Sequence, residues 1–67
     1  MSNSNAYAYT VTEVDPTYST DFVLGIFMTM EAAETARKEA AARLDVVSAA
    51  RGVYYSITGY QIGKVYR

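Results

Sequence analysis

The chain has one segment with helical spacing, Met30 to Arg51, and about three segments that read as strands with apolar or tyrosine residues on both faces. A single helix covers one face of a sheet, so the other face is expected to present Tyr and Phe side chains to water or to a partner. That surplus of sticky surface points to binding before catalysis.

Length and composition narrow the classes further. Sixty-seven residues make room for one domain, and a chain of this size buries only about 60% of the surface its unfolded form exposes. Cysteine and histidine are both absent, which removes disulfides, thiolate metal sites and the usual near-neutral proton carrier. No metal and no cofactor are therefore expected. The net charge is -1 with the signs interspersed, so neither a phosphate-binding surface nor an acidic DNA mimic is evident. Met1 to Asn5 is polar, has no apolar region behind it, and reads as a disordered tail ahead of a single domain from residue 6 to 67. No segment approaches the ~20 apolar residues of a membrane span, and a cytoplasmic location is expected.

Tyr7, Tyr9 and Val11 alternate with Ala8, Thr10 and Thr12, the pattern of a first strand. Asp15 to Asp21 contains the only proline and a cluster of turn formers, a hairpin loop longer than two residues. In the second strand, Phe22 to Met28, the even positions Phe22, Leu24, Ile26 and Met28 form the richer apolar set and are assigned to the helix side. Val23 and Phe27, flanking Gly25, then fall on the opposite face.

Thr29 is the expected helix N-cap, followed by Glu31 and Glu34 near the positive end of the dipole, and Arg51-Gly52 supplies a cationic last turn and a left-handed cap. Ala33, Ala36, Ala40, Leu44 and Val47 form the buried stripe. Glu34 with Lys38 and Glu39 with Arg43 are expected i,i+4 pairs on the solvated side. A third strand starts at Val53, and Gly59 is expected to mark a bulge or bend.

The predicted fold is α+β, ββαβ: a three-stranded antiparallel sheet with one long helix packed on one face. If the second strand runs up, the helix down and the third strand up, a right-handed crossover gives the order 2-1-3, with strand 2 at an edge. The order 1-2-3 stays open.

Catalysis has little to work with. Nucleophilic chemistry needs a base beside the nucleophile, and the hydroxyls here have neither His nor Cys for company. Glu13, Asp15 and Asp21 could meet at the hairpin loop, but their spacing matches no calcium loop. Gly59 to Lys64 has the glycines of a phosphate loop without a helix to follow. The seven tyrosines carry the remaining signal. Tyrosine offers large contact area at low entropic cost, and the expected partner-binding set is Tyr7, Val23, Phe27, Tyr54, Tyr60 and Tyr66.

The passage Val23-Leu24-Gly25-Ile26-Phe27-Met28-Thr29-Met30-Glu31-Ala32-Ala33-Glu34-Thr35-Ala36, with the later Tyr54-Tyr55-Ser56-Ile57, resembles small phage and bacterial ββαβ accessory proteins. The resemblance implies a mobile-element inhibitor or adaptor, in a class that includes anti-CRISPR proteins and acts in the host cytoplasm. The expected function is a non-enzymatic protein-binding module that uses its uncovered sheet face and strand 2 edge on a protein partner, a second copy of itself, or both. Two other readings stand beside it. One is a single-stranded nucleic-acid binder that stacks bases on sheet tyrosines, disfavoured by the charge balance; the other is a small enzyme using Tyr or carboxylate chemistry.

Overall fold

The computed structural model describes residues 7–63. The expected N-terminal tail, Lys64 and Tyr66 lie outside the described residues. The elements run β1 (Tyr7–Asp15), β2 (Thr20–Phe27), α1 (Met30–Ala42), α2 (Val46–Ala50) and β3 (Tyr54–Gln61). The strands form one antiparallel sheet in the order β2-β1-β3, the order the crossover argument favours over 1-2-3.

β1 and β2 are joined through Pro16 to Ser19, with Asp15 opposite Thr20 closing the hairpin. The Asp15 Oδ1 accepts the Thr17 N–H at 3.1 Å, a side-chain turn of the kind that makes Asp common in loops. Ser19 takes a left-handed φ of 54° to complete the reversal.

The two ladders on β1 differ. Against β3, every partner from Tyr7↔Gln61 to Val14↔Tyr54 follows without a shift, so there is no bulge at Gly59. Against β2, the register slips between Val11 and Thr12: Val11 faces Gly25, but Thr12 faces Val23. Leu24 is the extra residue of a β-bulge. A one-residue insertion exchanges the two faces, so the even-numbered residues of β2 do not share a side. Opposed residues point the same way. Phe22, Gly25 and Phe27 therefore share a face with Val11 and Tyr9, while Val23 and Ile26 share the other with Thr10 and Thr12.

The helix lies on the Val11 side. Val11 is fully buried at 0% exposure, which a three-stranded sheet achieves only where another layer covers it. Ala33 on α1 and Val53, ahead of β3, are the other buried apolar residues. The assignment of Ile26 to this face, and of Phe27 to the other, is thus corrected: the bulge at Leu24 resets the alternation that sequence periodicity assumes to be continuous. Glycine makes room for the large rings on the covered face. A Cβ at Gly25 would stand 3.0 Å from Phe27 Cζ, and one at Gly59 would stand 3.2 Å from Tyr9 Cε1. Gly59 is there because the cross-strand Tyr9 ring occupies its side-chain space.

The crossover is also not one long helix. Thr29 caps α1 as expected, its hydroxyl accepting the Ala32 N–H at 3.1 Å. α1 then stops at Ala42, and Asp45 in extended backbone starts α2 by accepting the Ser48 N–H at 3.1 Å. A short acid inside a helix competes for backbone donors, and here it caps a second helix after the break. The break leaves Val47 on α2 exposed, although Ala33, Ala36, Ala40 and Leu44 are all at least partly covered. Glu34 pairs with Arg37, Oε1 to Nη2 at 2.8 Å, one residue short of the expected Lys38.

One contact ties the hairpin to the crossover. Arg51, the C-cap of α2, places Nη2 3.0 Å from Asp15 Oδ2 and lies 5.4 Å from the Tyr18 ring centroid. The Thr17 hydroxyl donates to the Arg51 carbonyl at 3.2 Å. The hydrogen bond to Asp15 raises the Arg51 pKa further above its ordinary value, against the cost of its own desolvation.

Candidate interaction surface

The face of the sheet opposite α1 is covered by no described element. Four rows cross it. Ala8 stands beside Tyr60; Thr10 lies between Ile26 and Thr58; Thr12 lies between Val23 and Ser56; Val14 lies between Asp21 and Tyr54. The centre is thus a block of hydroxyls, Thr10, Thr12, Ser56 and Thr58. Aliphatic side chains flank it on β2 and tyrosines mark the two ends of β3.

Exposure is high where a partner would touch. Ile26 is 67% exposed, Val23 55% and Tyr54 53%, values uncommon for side chains whose burial contributes about 1.5–3 kcal/mol. Asp21, at the hairpin end, is the only charged residue in these rows. Tyrosine with Ser and Thr combines rigid contact area with adaptable hydrogen bonding, the composition of many recognition surfaces.

The six expected partner-binding residues divide. Val23, Tyr54 and Tyr60 are on the open face. Tyr7 and Phe27 are on the helix side, where the Tyr7 and Tyr9 ring centroids lie 6.2 Å apart at an interplanar angle of 31°; Tyr66 is outside the described residues. The aromatic residues do not make one cluster: Tyr54 and Tyr60 are six positions apart on one strand, roughly 20 Å at the usual rise. Ile26 is the open-face residue that periodicity missed. Gly25 carried the available signal, since glycine inside a strand often accompanies a bulge.

Where a titratable group departs from its ordinary value, the cause is structural. Burial raises the Tyr55 pKa on the covered face, with the nearby charges of Glu13 and Asp45 adding to it. Hydrogen bonds from Ser48 lower that of Asp45. Asp15 engages Arg51, and among the described residues no three of His, Cys, Asp and Glu gather as a metal site. No helix among them is long and apolar enough to cross a membrane. Compared with family models, curated proteins and solved structures, the chain has no match in any of the three.

Proposed function

We propose that the protein is a non-enzymatic protein-binding module, an accessory inhibitor or adaptor, whose recognition surface is the open sheet face with its β2 flank. The observation that supports this is the row structure of that face: Val23, Ile26 and Tyr54 stand exposed around a nearly uncharged block of Thr and Ser. A surface so composed suits a protein partner with a flat, weakly charged patch of its own. Exposed β-branched side chains supply apolar contact, and the hydroxyls pair with polar groups at its rim.

Affinity capture from the native host with quantitative mass spectrometry tests the reading when two variants are run beside the parent. Ile26→Lys and Val23→Lys place a charge in the contact area without entering the core, and each should lose the captured partner. Lys38→Ala, on the exposed side of α1, should keep it. A partner retained by both open-face variants would sink the proposal.

A further inference from the structure

The open face is complementary to itself. Along β1 its rows are set by Ala8, Thr10, Thr12 and Val14, and the two middle rows carry Ile26 and Val23 on the β2 side and Thr58 and Ser56 on the β3 side. A hydroxyl both donates and accepts a hydrogen bond, so a block of Thr and Ser is satisfied by a copy of itself, which an ammonium or carboxylate surface is not. The aliphatic flank needs only another aliphatic flank.

We infer that a second copy of this chain covers the open face, in a face-to-face pair that a host partner must displace. The inference rests on the open-face reading and names what occupies that face before the partner arrives. A two-fold axis running across the strands, between the Thr10 and Thr12 rows, makes the contact isologous. It sets Ile26 over Val23 of the second copy, Thr10 over Thr12, Thr58 over Ser56 and Val14 over Ala8. Aliphatic meets aliphatic, and hydroxyl meets hydroxyl. An axis along β1 would instead lay β2 over β3, with Ile26 on Thr58 and Asp21 on Tyr54, and both kinds of group would be mismatched.

Charge and area agree with this pairing. Asp21 is the only charged residue in the rows. The axis carries its counterpart three rows away, about 20 Å at the usual rise, well beyond the ~10 Å over which exposed charges act at moderate salt. Three strands of eight or nine residues present a face of roughly 15 by 27 Å. Two such faces in contact remove on the order of 1,000 Å² from water, the lower limit for a specific interface. A contact of that size is specific in register and modest in affinity, so the covering copy exchanges with a partner of better fit.

Sedimentation equilibrium tests the pairing. The parent should approach twice its 7.4 kDa as concentration rises. Ile26→Lys and Val23→Glu should each raise the dimer dissociation constant roughly a hundredfold, because the two-fold axis buries every new charge twice, while far-UV circular dichroism is retained. Their equimolar mixture should dimerise again, since Lys at one position then meets Glu at the other and the second Ile26 and Val23 contact is intact. The chain has no cysteine, so mixed Thr10→Cys and Thr12→Cys chains should oxidise to the hetero-dimer in excess of the statistical half, a readout that holds even if the charged variants fail to fold. A parent that is a monomer at every concentration overturns the inference, and so does a charged mixture of folded chains that stays monomeric. A dimer that withstands Ile26→Lys and is lost with Phe22→Lys, on the helix side, overturns it by placing the second copy on the other face. Capture of a host partner that survives Ile26→Lys counts against the open-face reading whatever the mass of the parent, so the two failures are read separately.

Discussion

β2 and β3 flank the same central strand, run in the same direction and are both eight residues long, yet they are built differently. β3 is a regular strand whose alternation survives from Tyr54 to Gln61. β2 contains one residue more than its partner needs, and that residue exchanges the faces of everything before it. The difference shows that alternation in a sequence reports sidedness only as far as the next bulge. It also shows where the sequence misleads: the interrupted strand holds the residue whose face periodicity assigns wrongly, and the regular strand holds none.

Single-residue deletions break the comparison most severely. Removing Leu24 should leave the Val11↔Gly25 and Thr12↔Val23 pairs in place and merely flatten the bulge, so the melting curve should move by no more than about 1 kcal/mol of stability. Removing Ile57 exchanges the faces of Tyr54 to Ser56 and drives tyrosine and hydroxyl groups to the wrong sides of the sheet. The cost should be several kcal/mol, approaching the whole stability of a small domain, roughly 5 kcal/mol. Thermal denaturation of the two deletions decides the matter. Equal damage from both would mean that β2 is held in register as firmly as β3.

The contrast also explains what was legible in the sequence. Strand count, the 2-1-3 order, the Thr29 cap and the end of the crossover at Arg51-Gly52 follow from local chemistry and chain connectivity, and all are present. The sides of β2 were not legible, because a bulge depends on which residue of β1 meets which residue of β2. Gly59 looked like the irregular position and Gly25 like a spacer. Their surroundings reverse the roles, since what each glycine accommodates is a ring: Tyr9 from across the sheet, or Phe27 two positions along. Asp45 was legible in principle, as an acid three residues before Ser48, but the apolar spacing through Leu44 and Val47 masked it. On the candidate surface, Val23, Tyr54 and Tyr60 were reachable from the sequence, whereas Ile26 required the register.

A smaller effect should separate neighbours on β2. Phe27 is half-buried on the helix side with its ring over Gly25, and Ile26 beside it is exposed on the open face. Phe27→Ala should cost about 2 kcal/mol, less than the loss of a fully buried ring, whereas Ile26→Ala should stay within about 0.5 kcal/mol. Urea titrations of both variants sharpen the face assignment. A larger loss from Ile26→Ala would return the even positions of β2 to the core.

The least disruptive probe is acid, because it reaches the entry to β3 through one carboxylate. Asp45 accepts the N–H of Ser48 at 3.1 Å, and the Ser48 carbonyl accepts the N–H of Val53, the buried residue just before β3, at 3.2 Å. Hydrogen bonds from Ser48 lower the folded-state pKa of Asp45 below its ordinary value of 3.8. The sign follows from linkage: a depressed carboxylate pKa contributes stability that is present above the unfolded value and is lost as pH falls through the folded one. Acidification below about pH 4 should therefore loosen α2 and the start of β3 before it touches the β1 and β2 hairpin tip. Amide exchange read residue by residue should show Ser48 and Val53 losing protection first, and Asp45→Asn, which keeps an acceptor without the titration, should flatten that dependence. If the hairpin tip and the start of β3 lose protection together in the parent and in Asp45→Asn alike, the acid response belongs to another carboxylate, and the cap does not govern how β3 is entered.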